Sequence, residues 1–494
     1  MNWLKKIFSQ PTTWFLIISI VYLSPNLLSP HFSYIDDGQS LLSAKTVFES
    51  NGFNTWKNTL FESSLGRIRP FYQLYFIALY LIAGVNPFVF WLGQTIVLFL
   101  TLWGAWLFLT SFSEIKKRSS FILLSLFILF PATIDNFYRL GTAEPRQVLG
   151  IIWFLVWLRK LKINRIIIKD YLIGHLLLVF SLGTKETSLL LFPIIGLFFF
   201  VSFLVEKKQE IRKNILLLSS SLFVQGIIFY LLMPKNQGYG SSMSISIPRL
   251  WYSALVTRLE FAEFYLPLLI VILLMMVRFI FNGFKNIKII GFLKESIWSG
   301  ILLLGLAESL FFVWSWQYQL ERYHYLPLFF GLLLVAHEIS QWNKQLFNKL
   351  KKQLFVFVLV PISLLYIFFF QLRGLNWNGV FQRSYKYYSF HYTTYQTAGE
   401  LIDFLYMELP ENTNVYIDHD DYEKIADLGY FASNFGDREI TIYSGNREIN
   451  KRYPDLHFYE TNLLDAYDQE NDKKILILFD SSKNRFFEKI IKNF

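Results

Sequence analysis

Apolar runs of about 18 to 25 residues recur along the chain, each bounded by short polar or basic stretches, and that is the length a helix needs to cross roughly 30 Å of hydrocarbon. The pattern predicts spans over 12–29, 88–112, 119–134, 147–161, 170–184, 187–205, 214–233, 264–283, 296–314, 325–341 and 354–372, which makes eleven helices. Basic clusters at Lys5/Lys6, Lys116–Arg118, Arg159–Lys169, Lys207–Lys213, Arg278–Lys294 and Lys344–Lys352 fall in alternate connections. Cytoplasmic loops carry such excesses, so the N-terminus is expected inside, the C-terminus outside, and the membrane is expected to be the plasma membrane. The first run follows Lys5 and Lys6 without an Ala-x-Ala-like cleavage site and reads as a retained helix.

Two segments break the rhythm. Pro70–Val85 is apolar but short and opens on Arg67, Arg69 and Pro70; counting it as a span would put the next basic cluster on the wrong side. It reads as an interfacial helix inside an outer loop of 30–87. From Arg373 onward charges become dense and apolar runs shrink to strand length, at Val415–Asp418, Ile440–Tyr443 and Lys474–Asp480, alternating with helical patterns at 398–409 and 422–435. The expected organisation is therefore an α-helical polytopic membrane body over 1–372 and a small extracytoplasmic α/β domain over 373–494.

Composition agrees: 53% of the 494 residues are hydrophobic, 19% are aromatic, and mean hydropathy is +0.35. The formal charge of +10 lies in small clusters between spans rather than on one surface, so it marks topology and not nucleic-acid binding. With no Cys in the chain, disulfides, thiolate metal sites and thiol nucleophiles are excluded.

Under this topology the ionisable residues that composition does not explain gather in outer loops or at outer helix ends. Asp36-Asp37 follows the first span; two adjacent carboxylates could take a proton from a hydroxyl or hold a divalent metal, and the plain alternative is a helix cap. The loop Asp135–Arg146 packs Asp135, Arg139, Glu144 and Arg146 between apolar helices, where ion pairing competes with a role for an acid in holding an acceptor or a metal and for arginine in forking onto phosphate. Lys185-Glu186 interrupts an apolar stretch where charge is unfavourable, so both must turn to protein or water; the pair either marks a short hairpin or has Lys185 meeting an anionic headgroup while Glu186 orients it. Glu321-Arg322-Tyr323-His324 opens the tenth span, and Arg322 stands where a lipid phosphate would lie. His324 and His337 lack partners at metal-ligand spacing, and no phosphate-binding loop or nucleophile elbow occurs.

The ordered motifs resemble the GT-C superfamily of membrane glycosyltransferases, and within it the O-mannosyltransferase branch that carries tetratricopeptide repeats. Asp36-Asp37 is similar to the acidic doublet of the first outer loop in that family. Arg69-Pro70 with Gly84-Val85-Asn86-Pro87-Phe88, then Lys185-Glu186, then Glu321–Pro327 resemble further elements in the same order, over roughly 30–330. Phe130-Pro131 stands where the family often has His-Pro, and no tetratricopeptide repeats follow the last span. The resemblance implies a GT-C-like fold and an inverting transfer of a monosaccharide from a polyprenyl-phosphate donor, of undecaprenyl or dolichyl type, to an acceptor on protein, lipid or wall glycan. It implies Asp37 or Asp36 as base, Asp135 or Glu144 orienting the acceptor, and Arg322, Lys185, Arg69 and Arg146 on the donor phosphate. Glu186, Glu321 and His324 would support them. No cofactor is required, with a divalent metal left open.

Three rival classes are an oligosaccharide polymerase or ligase using a polyprenyl-diphosphate glycan, a transporter or flippase of lipid-linked sugar, and a membrane scaffold. A ligase would be expected to need a larger outer loop, and a transporter to have two related halves, which the sequence lacks. The absence of Cys makes the topology directly testable. On intact cells a membrane-impermeant maleimide should label Lys45→Cys, and should label Lys208→Cys only after permeabilisation; the opposite pattern would invert the orientation.

Overall fold

The computed structural model describes residues 10–33, 37–49, 53–60, 68–112, 117–232, 246–260, 268–276, 279, 289–316 and 320–346, together with isolated positions between 385 and 402 and the strands within 413–493. The body is helical. In chain order it comprises α1 (Pro11–Leu28), α2 (Asp37–Glu49), α3 (Phe53–Leu60), α4 (Pro70–Ala83), α5 (Pro87–Thr110), α6 (Lys117–Phe127), α7 (Pro131–Phe137), α8 (Glu144–Lys160), α9 (Ile168–Thr184), α10 (Leu191–Val205), α11 (Gln209–Leu232), α12 (Ile247–Glu260), α13 (Ile289–Ser315) and α14 (Tyr325–Leu346).

Among the described residues, five segments are long and apolar enough to cross a membrane: Pro11–Leu28, Pro87–Thr110, Glu186–Val205, Gln209–Leu232 and Ser296–Ser315. The expected span at 119–134 is instead broken. α6 and α7 meet at 67° across a three-residue gap, and they make a sixth crossing only if taken together. Pro131 is the cause: it has no N–H to continue a helix and holds Phe130 extended (φ −70°, ψ 142°), so it starts a new helix. The expected spans at 147–161 and 170–184 are helices of 17 residues each, 264–283 is described only in part, and 354–372 lies outside the described residues. α4 has 14 residues, about 21 Å at 1.5 Å per residue, too short to cross.

The junction between α4 and α5 explains one motif without recourse to chemistry. Gly84 closes α4 at φ +59°, Asn86 caps α5 by accepting from the Phe88 N–H at 3.0 Å, and Pro87 fills the first helical position, where no donor is needed.

The core seam runs where α5, α8 and α9 pack in succession, with α1 against α5 and α13 between α10 and α14. Small residues set the closest approaches. A Cβ on Gly226 of α11 would fall within the Phe192 ring of α10. One end of the bundle is closed by Arg159, which donates to the Ser111 hydroxyl at 3.2 Å and covers the Phe112 ring at 4.5 Å, while His337 lies tilted against that ring at 4.6 Å and Ser299 donates to Glu338.

Toward the C-terminus the described residues form a five-stranded sheet, β1 (Thr413–Asp418), β2 (Ile440–Ser444), β3 (Phe458–Glu460), β4 (Lys474–Asp480) and β5 (Arg485–Asn493), in the order β3-β2-β1-β4-β5. β5 runs antiparallel to β4 and the other pairings are parallel. The helical patterns expected at 398–409 and 422–435 fall outside the described residues, apart from positions 399 and 402.

Gly226→Ala should force α10 and α11 apart and lower stability by about 1–3 kcal/mol, read as a drop in the melting temperature of detergent-purified protein. An unchanged melting temperature would mean that the two helices do not meet this closely.

Candidate active site

At the end of the bundle opposite Arg159, the sequence-selected charges meet across four helix junctions. Lys185, in the one-residue break between α9 and a 3-10 turn over Glu186–Leu190, donates to Glu144 Oε1 at 2.5 Å. Glu144 is the first residue of α8, ahead of the apolar stretch. Burial pushes its carboxyl up, yet the charges of Lys185 and Arg322 and the hydrogen bond from Lys185 outweigh this and hold it down at about 2. Burial pulls Lys185 below the ordinary lysine range, and Glu144 opposes the shift.

The Lys185 ammonium also sits 5.3 Å from the centre of the Tyr323 ring, and the Arg322 guanidinium sits 5.2 Å from the same ring. Two cations on different helix ends thus flank one aromatic side chain. Arg322 lies on the 3-10 turn Glu321–His324 that leads into α14, and the backbone of that turn is clamped on both sides. The Arg322 N–H donates to Asp135 Oδ2 at 3.0 Å, and Asn136 Nδ2 donates to the Arg322 carbonyl at 2.9 Å. Asp135 further faces Arg139 at 3.9 Å. Glu321 and His324 are buried beneath the turn.

Arg69, just before α4, makes a two-pronged contact with Glu186, Nε and Nη2 each donating at 2.8 Å to separate carboxylate oxygens. Gly183 beside it lets α9 close on α4, since a Cβ there would lie 2.6 Å from the Phe71 ring. Gln147 of α8 ties down the same turn, donating to the Thr187 and Ser188 hydroxyls at 2.8 and 3.2 Å.

Arg146 does not face this cluster. It is buried, donates to the carbonyls of Thr142 and Leu140 and to Gln94 Oε1, and lies 4.0 Å over the Tyr75 ring. Gln94 in turn donates to the Asn136 and Arg139 carbonyls at 3.1 and 3.2 Å, so Arg146 and Gln94 together brace the loop that carries Asp135 and Asn136. The hydrogen bonds of the Arg146 guanidinium turn inward, onto that loop and Gln94.

Asp37 is the first residue of α2 and is buried; its Oδ2 accepts from the Ser33 N–H at 2.9 Å, closing the turn that precedes the helix. The link from α2 to the charged cluster runs through Tyr72, which approaches Ser40 at 3.5 Å and donates to the Gly141 carbonyl at 2.7 Å. Asp36 lies outside the described residues. Among the described residues no three His, Asp or Glu side chains stand together as a metal cage.

Sequence reasoning missed Asn136, Gln94, Gln147 and Tyr72. Each is polar within or beside an apolar run, and that was the available signal: a polar side chain in hydrocarbon must find a partner.

The fold and site define a membrane-type helical bundle with a buried, paired-charge cluster at one end. Against protein-family profiles and against curated proteins the chain has no match. Among solved structures it is similar to ArnT from Cupriavidus metallidurans bound to undecaprenyl phosphate, at 13% identity and a TM-score of 0.49, over 97% of this chain and 94% of that one. It is also similar to the same protein in its apo state, at 12% identity and a TM-score of 0.48, over 94% and 93%.

Reversing the Arg69–Glu186 pair tests whether it holds the α4 and α9 ends together. Arg69→Glu and Glu186→Arg should each lower thermal stability, and the double variant should recover about 1–3 kcal/mol of it. Additive losses would mean that the pair contributes no coupling.

Proposed function

We propose that the chain is an inverting glycosyltransferase that moves a monosaccharide from a polyprenyl-phosphate carrier to an acceptor hydroxyl on the outer side of the plasma membrane. The observation that carries this reading is the approach of both Lys185 and Arg322 to the Tyr323 ring, with Glu144 paired to the Lys185 ammonium and Asp135 holding the Arg322 backbone. A phosphate monoester leaving group needs such a preorganised positive site at the end of an apolar bundle, where its lipid tail stays in hydrocarbon.

In the proposed step Asp37 takes the proton from the acceptor hydroxyl as that oxygen attacks the anomeric carbon. The carbon–oxygen bond to the phosphate breaks on the opposite face, and the electron pair departs with the polyprenyl phosphate. Arg322 and Lys185 offset the charge that builds there. Asp36, its neighbour in the doublet, is the alternative base. Glu144 and Asp135 are assigned to positioning the cations rather than the acceptor, because their carboxylates are already engaged with Lys185 and the Arg322 backbone. Arg69 acts through Glu186 on the turn that follows Lys185, and Arg146 acts on the loop that carries Asp135. Residues 373–494 are read as an extracytoplasmic domain, and the N-terminus as cytoplasmic.

The test is release of sugar from a synthetic polyprenyl-phosphate monosaccharide by purified protein, followed by mass spectrometry. Asp37→Asn should lower kcat by about 10²- to 10⁴-fold with the melting temperature retained, and Arg322→Ala should weaken donor use. Full activity in both Asp36→Asn and Asp37→Asn would sink the assignment of the base.

A further inference from the structure

α13 carries a carboxylate that none of the interactions above employs. Glu308 lies seven residues before the helix end at Ser315, in the stretch Leu302-Leu303-Leu304-Gly305-Leu306-Ala307-Glu308-Ser309-Leu310-Phe311-Phe312. At 1.5 Å per residue that is about 10 Å into the apolar layer. Its Oε2 is shielded from solvent and has no hydrogen-bond partner among the described residues. The buried flank of the helix runs through Leu302, Leu306, Ser309 and Val313, whereas Phe311 is 40% exposed. Glu308 therefore stands at the border between the packed seam and an open flank.

The helix passes α10, where Gly300 lies against Leu197, and continues to the 3-10 turn Glu186–Leu190 that follows Lys185. Glu308 thus lies on the half of α13 that leads toward the charged cluster, deeper in the apolar layer than the helix end. A carboxyl facing hydrocarbon with no partner is strongly unfavourable, so the open flank beside it is expected to hold something that hydrogen-bonds. Ionised or protonated, a carboxyl always keeps an acceptor oxygen, so the fitting occupant is a group rich in hydroxyl donors.

We propose that Glu308 is a specificity-determining residue that accepts hydrogen bonds from hydroxyls of the lipid-linked sugar. It would read the sugar while Lys185 and Arg322 hold the phosphate. The assignment rests on the donor class proposed above.

The experiment measures binding of three lipids to full-length purified protein: polyprenyl phosphate without sugar, polyprenyl-phosphate mannose and polyprenyl-phosphate glucose. Wild type should bind at least one sugar lipid more tightly than the bare lipid. Glu308→Ala should reduce that preference by about tenfold and leave bare-lipid affinity within about twofold, with Glu308→Gln falling between. Affinity for all three lipids falling in parallel would overturn the specificity role, as would an unchanged preference accompanied by a higher melting temperature. Wild type binding none of the three would instead remove the donor class itself, and this assignment with it.

Discussion

Hydrocarbon offers a charge nothing to replace its water, and the arrangement at the charged end of this bundle follows from that constraint. Lys185 interrupts the α9-to-α10 connection, where a bare ammonium would be untenable, and it is met at 2.5 Å by Glu144 from the start of α8. Because the pair joins two helix junctions, it fixes how α8 and α9 meet. Arg69 and Glu186 repeat the device one residue further on and bring α4 to the same place. The ion pairs thus set the positions of three helix ends and, through them, of the turn that Gln147 also holds.

A second layer of polar contacts serves backbone rather than charge. Asp135 and Asn136 take the N–H and the carbonyl of Arg322, and that carbonyl also accepts from the Tyr325 N–H where the 3-10 turn Glu321–His324 gives way to α14. Arg146 and Gln94 perform the equivalent task for the loop that presents Asp135 and Asn136. Pro131 makes this layer possible, because the 67° bend it starts turns α7 out of line with α6 ahead of that loop. Cations that would meet an anion are held by carboxylates, and those carboxylates sit on segments braced by further hydrogen bonds. A site organised in this way is preset, so little reorganisation is needed when charge develops beside it.

The proposed function separates into three zones: an acid at the start of α2, a pair of cations beside Tyr323, and a deeper carboxyl at Glu308. The zones differ in what they ask of a ligand: a proton from a hydroxyl, a negative charge, and a set of hydrogen-bond donors. A lipid-linked sugar phosphate with a hydroxyl acceptor meets all three.

The periodicity of apolar runs determined the helical character of the body, and spacing located the suspicious charges, because hydrophobic length and the cost of isolated charge are local properties of a sequence. Lys185, Glu144, Arg69, Glu186 and Arg322 could all be selected on that basis. Their pairing could not. Whether Glu144 orients an acceptor or neutralises Lys185 depends on which helix ends adjoin, and the two residues are 41 positions apart in the chain. Arg146 and Arg322 could both be selected as phosphate-binding candidates in sequence, yet one guanidinium turns inward onto loop carbonyls and the other lies against Tyr323. The broken span at 119–134 reads as one apolar run because hydropathy does not register the missing N–H of Pro131. Sequence determined which groups hydrocarbon would not tolerate alone, and tertiary structure decided which partner each received, since only packing brings distant helix ends within the reach of a hydrogen bond.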